Sequence, residues 1–166
     1  ENNDRVQAFT YRTYSIPLTT GWNMVSVPIE AIDMSVDAIF PDAEAIYTWD
    51  PATKSYTVPE TIEPECGYWV AVSEDTTVTI VGGTDVICWE DHPLFAGWNM
   101  VGSICGGPVP AETLDDDPAG ALQTNAIYHW NPVNKSYDAV SQIEDFDGYW
   151  MATTVNCTLG MHAPPE

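Results

Sequence analysis

An all-β chain built from two tandem homologous repeats is the fold class the sequence predicts, and three observations predict it. The same short blocks occur twice in the same order. β-branched and aromatic residues cluster in short runs bounded by Gly, Pro, Asn and Asp. Only one segment carries both a helix start and a helix stop.

The repeat sets the organisation. Ile16-Pro17-Leu18 followed by Gly21-Trp22-Asn23-Met24-Val25-Ser26 returns 76 residues later as His92-Pro93-Leu94 followed by Gly97-Trp98-Asn99-Met100-Val101-Gly102. Ile46-Tyr47-Thr48-Trp49-Asp50-Pro51 with Lys54-Ser55-Tyr56 returns 81 residues later as Ile127-Tyr128-His129-Trp130-Asn131-Pro132 with Lys135-Ser136-Tyr137. Gly67-Tyr68-Trp69 returns at the same spacing of 81 as Gly148-Tyr149-Trp150. The second copy therefore carries five extra residues, and the Pro- and Asp-rich stretch 106–120 is the loop expected to absorb them. The division is then an N-terminal strand or arm at 1–15, a first repeat at 16–90, a second at 91–162 and a tail at 163–166. The two repeats are expected to pack with pseudo-two-fold symmetry, sandwich- or barrel-like, each lending a strand across the boundary.

Along the chain, residues 10–14 align with 86–90 at the first spacing, so the N-terminal segment should be a strand. That segment, Val6 to Tyr14, could pair within its own chain or add to the open sheet edge of a neighbour; Val6, Phe9, Tyr11 and Tyr14 are its subunit-contact candidates. Asn23 to Pro28 is a short apolar strand. Ser35 caps a helical turn over Val36 to Phe40, which Pro41 stops. Ile46 to Asp50 and Ser55 to Val58 flank turn residues and read as a hairpin. Tyr68 to Val72 and Thr76 to Val81 are two further strands. Short helical connections complete a chain of about ten or more strands.

Composition bounds the function. The 166 residues are 45% hydrophobic, enough for one or two small domains with a core. A net charge of −21, with Lys54, Lys135, Arg5 and Arg12 the only Lys and Arg, makes nucleic acid a poor partner. It fits either a salt-rich setting or plain solubility. No apolar run reaches the roughly 18 to 20 residues of a membrane span. The start at Glu1 suits a processed, secreted chain.

Signs of chemistry are sparse. His92, His129 and His162 lack metal-ligand spacing, and no Gly-x-Ser-x-Gly, phosphate loop or Cys-x-x-Cys is present. Carboxylate pairs that could hydrolyse glycosides carry no information among 25 acids. Asp115, Asp116 and Asp117, near Glu112, could hold Ca²⁺, although their spacing departs from a calcium loop and a solvated loop is the plainer reading. Otherwise no cofactor is expected. Cys66, Cys88, Cys105 and Cys157 are an even number without metal spacing and read as disulfides of unassigned pairing. Asn134 and Asn156 head glycosylation acceptor triplets. Of the seven Trp and eight Tyr, those at matched positions in the two copies are expected to fill the core, since each ring buries on the order of 150–250 Å². Trp89 aligns with Thr13 and, lacking an aromatic counterpart, is the candidate for an exposed anchor.

The doubled Gly-Trp-Asn … Tyr-x-Trp-Asp/Asn-Pro … Lys-Ser-Tyr … Gly-Tyr-Trp pattern resembles the Gly-Trp-Asn repeats of archaeal and bacterial secreted and cell-surface proteins, including envelope and surface-layer-like ones. It covers residues 16–82 and 92–160. The resemblance implies an extracellular β-domain with a structural or adhesive role and transfers no catalytic residue. The sequence therefore predicts a non-enzymatic cell-envelope protein, a self-assembling subunit of a layer, sheath or filament, partnered by itself or by other envelope proteins. A carbohydrate-binding or adhesion module is the alternative.

Overall fold

The first copy begins on β1 (Tyr11–Leu18), followed by β2 (Gly21–Val25), one helical turn α1 (Val36–Ile39), β3 (Ala45–Asp50), β4 (Ser55–Thr57), β5 (Tyr68–Val72) and β6 (Thr76–Gly83). The second runs β7 (Trp89–Leu94), β8 (Gly97–Val101), β9 (Val109–Pro110), β10 (Asp115–Asp117), β11 (Leu122–Asn131), β12 (Ser136–Ala139), β13 (Gln142–Ile143), β14 (Tyr149–Thr153) and β15 (Cys157–Met161). These elements come from a computed structural model that describes residues 10–165. It is all-β, with antiparallel sheets arranged in a sandwich-like way and no closed barrel.

The main sheets of the two halves match, while β9, β10 and β13 have no strand counterpart in the first half. One sheet has the order β2-β5-β3-β4 and its counterpart β8-β14-β11-β12. Trp22 stands opposite Ala71 and Met24 opposite Trp69, as Trp98 stands opposite Ala152 and Met100 opposite Trp150. β1 pairs with β6, and β7 with β15. The strand ahead of each copy thus closes onto that same copy, which corrects the expectation of strands lent across the boundary. β1 runs through position 16 and β7 through position 91, so Tyr11 to Ser15 belong with the first unit and Trp89 and Glu90 with the second.

The Gly-Trp-Asn block is a corner. Gly21 and Gly97 turn the chain with φ of 96° and 101°, a region that favours glycine. Asn23 then folds back: its Oδ1 accepts from the Thr19 amide at 2.9 Å and its Nδ2 donates to the Thr19 carbonyl at 2.8 Å. Asn99 repeats both bonds with Phe95 at 2.9 Å. Both asparagines are buried, so these bonds also satisfy amides that would otherwise be costly to desolvate.

Each half has its own core. Ile16, Val27, Ile29, Tyr68, Val70 and Ile80 lie in the first, and Trp89, Ile104, Ile127, Tyr149, Met151 and Leu159 in the second. Tyr68 and Tyr149 are core, as expected of matched rings. The other matched rings are not, and Trp22 and Trp98 are 42% and 44% exposed. Strand alternation is the cause: on β5 Tyr68, Val70 and Val72 point inward, so Trp69 points out.

Trp89 is 1% exposed, so it is a core residue and not an exposed anchor. Asp91, at φ 54°, sits within a register shift between β7 and β15. The shift sets Trp89 opposite Met161, as Tyr14 stands opposite Ile80. Trp89 therefore plays the part of Tyr14, which is itself buried and donates its hydroxyl to the Gly83 carbonyl at 2.7 Å. Neither is a free subunit contact. Tyr11 is exposed; Val6 and Phe9 lie outside the described residues.

The five inserted residues fall where expected, but Asp115 to Asp117 form β10, paired with β15, instead of a loop. A strand sends neighbouring side chains alternately to opposite faces, and Asp115, Asp116 and Asp117 border one hollow together with Glu90 and Asp91. Asp116 faces back and accepts the Leu122 amide at 2.8 Å. Among the described residues no group of three or more His, Cys, Asp and Glu is placed to hold a metal ion.

Glycines hold the halves together. A Cβ on Gly67 would lie 2.8 Å from the Val101 carbonyl oxygen, and one on Gly148 would lie 2.9 Å from that of Val25. Around these contacts the Ser26 amide donates to the Phe146 carbonyl at 2.8 Å, and the Gly102 amide to the Glu65 carbonyl at 2.8 Å. Position 102 explains a departure between the copies: a Cβ there would stand 2.7 Å from the Pro64 carbonyl oxygen and 2.9 Å from both the Cys66 carbonyl oxygen and the Ser26 Cβ. The two equivalent positions meet near the pseudo-two-fold axis, where backbone and the Ser26 side chain together leave position 102 no room for a Cβ. Gly67→Ala and Gly148→Ala should each lower stability by about 1–3 kcal/mol through overpacking against backbone. Gly83→Ala, whose nearest atom would be at 3.8 Å, should stay near neutral; urea unfolding checks all three.

Candidate functional site

Twin aromatic clefts occupy the face left by the outward rings. One is lined by Trp22, Tyr47, Tyr56, Trp69, Trp130 and Tyr137, with a volume of about 420 Å³. The other is lined by Trp98, Tyr128, Tyr137, Trp150, Trp49 and Tyr56, with a volume of about 480 Å³. Taken in that order, each residue of the second is the repeat counterpart of one in the first. Both volumes suit small-ligand sites, which span roughly 300–1,000 Å³.

Neither cleft belongs to one half. The β3–β4 hairpin reaches over β8, and the Trp49 indole N–H donates to the Trp98 carbonyl at 3.1 Å. Reciprocally, the Trp130 N–H donates to the Trp22 carbonyl at 3.2 Å. Lys54 adds a bond across the halves, its Nζ donating to the Ala96 carbonyl at 3.0 Å. Trp49 meets Trp150 edge-to-face at 5.5 Å and 79°, and Trp69 meets Trp130 at 5.7 Å and 76°. Within each hairpin Trp49 packs on Tyr56 and Trp130 on Tyr137, both pairs at 5.0 Å. Rings held edge-to-face lock one another in place. Apart from Tyr68 and Tyr149, the matched rings expected in the core lie at the surface, where they join the two halves.

The hairpins that carry these rings are built alike. Asp50 Oδ1 accepts the amides of Ala52 and Thr53 at 2.9 and 3.3 Å, and Asn131 Oδ1 accepts those of Val133 and Asn134 at 3.0 Å. Lys54 and Lys135 both follow at φ 54°. This is side-chain-directed turn chemistry, and it fixes where Tyr56 and Tyr137 stand.

Other sequence candidates fall elsewhere. His129 occupies the place of Thr48: its Nδ1 is 2.9 Å from the Gly148 carbonyl, as the Thr48 hydroxyl donates to that of Gly67 at 2.9 Å. Its Nε2 is 3.8 Å from Asp147, whose carboxyl burial holds above its ordinary pKa while His129 pulls it back down. His92 packs against Trp89 at 5.5 Å, and His162 lies beside β10 in a separate acidic hollow. Asn134 is exposed at the tip of the second hairpin; Asn156 is exposed and accepts the Ala96 amide at 2.9 Å.

The expected disulfides are not formed: Cys66, Cys88, Cys105 and Cys157 are free thiols at dispersed places. Cys66 sits at the junction opposite Val101, Cys105 packs on the first core, Cys157 is buried in the second and Cys88 is exposed. Burial, with Glu63 nearby, pushes the Cys66 thiol up to about 12.

Fold and site together define a two-copy all-β protein whose exposed aromatic face is shared by both copies. Compared with known proteins, the chain matches no family model, no curated protein and no solved structure. No helix among the described residues is long and apolar enough to cross a membrane.

At pH 8 a thiol with a pKa near 12 is roughly one part in ten thousand thiolate, so Cys66 should resist a disulfide reagent in the native protein. Cys88 should label first, and all four cysteines should label in denaturant without reductant; peptide mapping of the adducts checks both.

Proposed function

We propose that this is a non-enzymatic, extracellular carbohydrate-binding protein of a cell envelope, using the twin clefts to hold neutral polysaccharide. The observation that carries this reading is the set of matched indole and phenol rings lying bare on one face, Trp22 and Trp98 foremost. A contiguous apolar patch of this kind, kept exposed in both copies, is the usual mark of a binding surface. Pyranose rings present faces of C–H groups that pack flat on indoles, while their hydroxyls remain solvated at the rim. Phenols at Tyr47, Tyr56, Tyr128 and Tyr137 add hydrogen-bonding groups to the apolar walls. Charge narrows the class: neither cleft is lined by a cationic side chain, and a chain of net charge −21 repels uronates and sulfated sugars. The resemblance to cell-surface Gly-Trp-Asn repeats supports the location.

Strand addition by copies of the chain is a second reading, favoured by one observation. β1 has β6 as its sole strand partner among the described residues, so its outer edge is open, and Tyr11 is exposed there. Regular polymers in negative stain at native salt belong to this second reading alone.

Affinity electrophoresis through gels containing hydroxyethyl cellulose, glycol chitin, mannan or alginate tests the first. One or more of the neutral polymers should retard the protein and alginate should not. Trp22→Ala with Trp98→Ala should abolish the retardation while leaving the unfolding free energy within about 1 kcal/mol of wild type, as expected for surface positions. Unchanged retardation in the double variant would refute the assignment.

A further inference from the structure

We infer that the two clefts are separate, equivalent sites that hold two polysaccharide runs in opposite directions, so that one protein chain bridges two antiparallel polymer strands. This rests on the carbohydrate reading above and adds the number, direction and coupling of the bound chains.

Symmetry carries the inference. The clefts are lined by the same residues exchanged between copies, and the two hydrogen bonds that build their walls, Trp49 to Trp98 and Trp130 to Trp22, are reciprocal. Whatever run of sugar fits one cleft fits the other after the two-fold rotation. A polysaccharide has a reducing and a non-reducing end, and a half-turn about an axis across the chain reverses that direction. A single straight chain therefore cannot meet equivalent rings in the same order in both clefts. Two runs can, provided they lie antiparallel. Charge permits them to lie close together: with neutral sugar there is no repulsion between the ligands, and no cation is needed to hold them.

Tyr56 and Tyr137 stand between the sites, since each lines both clefts. Each packs at 5.0 Å on its own hairpin tryptophan, and the Tyr137 hydroxyl also accepts the Trp150 indole N–H at 3.3 Å. Ligand in one cleft thus touches a ring that forms a wall of the next. Loss of Trp22 should empty one cleft, loss of Trp98 the other, and loss of Tyr56 should weaken both.

Native mass spectrometry with cellohexaose and chitohexaose tests the stoichiometry. Wild type should bind two molecules per chain, Trp22→Ala and Trp98→Ala one each, and the double variant none. Beads coated with the binding hexaose should be agglutinated by monomeric wild type. Each single variant should bind the beads but need at least tenfold more protein to agglutinate them. A nitroxide on the reducing end should broaden equivalent amide signals in both copies together, such as those of Gly21 and Gly97, or of Lys54 and Lys135. A stoichiometry of one, complete loss of binding in either single variant, or broadening of non-equivalent amides would overturn the inference while leaving the carbohydrate reading standing. Binding of a polyproline decamer with no hexaose or gel polymer bound would overturn both.

Discussion

Two backbone carbonyls fix the relation between the halves. The Val101 oxygen stands where a side chain on Gly67 would be, and the Val25 oxygen does the same at Gly148. Contact this close is available only to glycine, and it lets the end of β2 bridge to Asp147 and the end of β8 to Cys66. Everything above this junction follows from it. With the strand ends held together, each β3–β4-type hairpin lies over the other half, and its indole reaches a carbonyl there. Two half-faces become one surface. The glycine of each Gly-Tyr-Trp block is therefore an assembly device, its tyrosine a core residue and its tryptophan part of the surface.

The same junction accounts for where the copies differ. Symmetry would place Ser26 and a serine at 102 against each other, with their Cβ atoms 2.9 Å apart. The second copy carries glycine there, and Ser26 then bonds both to the Ser103 hydroxyl at 2.9 Å and to the Asp147 carbonyl at 2.7 Å. A duplicated gene product that folds onto itself meets this problem at any residue near its axis. The solution here is a side chain on one side and none on the other, with the buried hydroxyl fully bonded. Asymmetry elsewhere, such as His129 for Thr48, preserves the bond and changes only the donor.

Much of this architecture was legible in the sequence. Spacings of 76 and 81 identify the repeat and locate the insertion, and the runs at 45–50 and 68–72 form the strands their residue types favour. The position of the rings was also legible, but composition obscured it. Trp69 follows Tyr68 and precedes Val70, and Tyr47 follows Ile46, so a strand that buries Tyr68, Val70 and Ile46 must expose Trp69 and Tyr47. Counting bulky matched residues argued for a core; following the period of two argues for a surface. Trp89 was hidden for another reason. A register shift beside Asp91 moves it one place along the strand, and an ungapped alignment cannot contain a bulge. Asp115 to Asp117 were hidden by pairing, because nothing in three adjacent acids says that β15 has a free edge beside them. The reciprocal carbonyl contacts join residues distant in the chain, and only the folded backbone brings them together.

Inter-half ring contacts test the account most directly, because they arise only if the junction holds both copies in the described relation. In solution, nuclear Overhauser effects should connect the indole protons of Trp49 with those of Trp150, and those of Trp69 with those of Trp130, with similar intensity in the two pairs. Effects confined to rings of the same copy, or present in one pair and missing from its counterpart, would contradict a shared two-fold face.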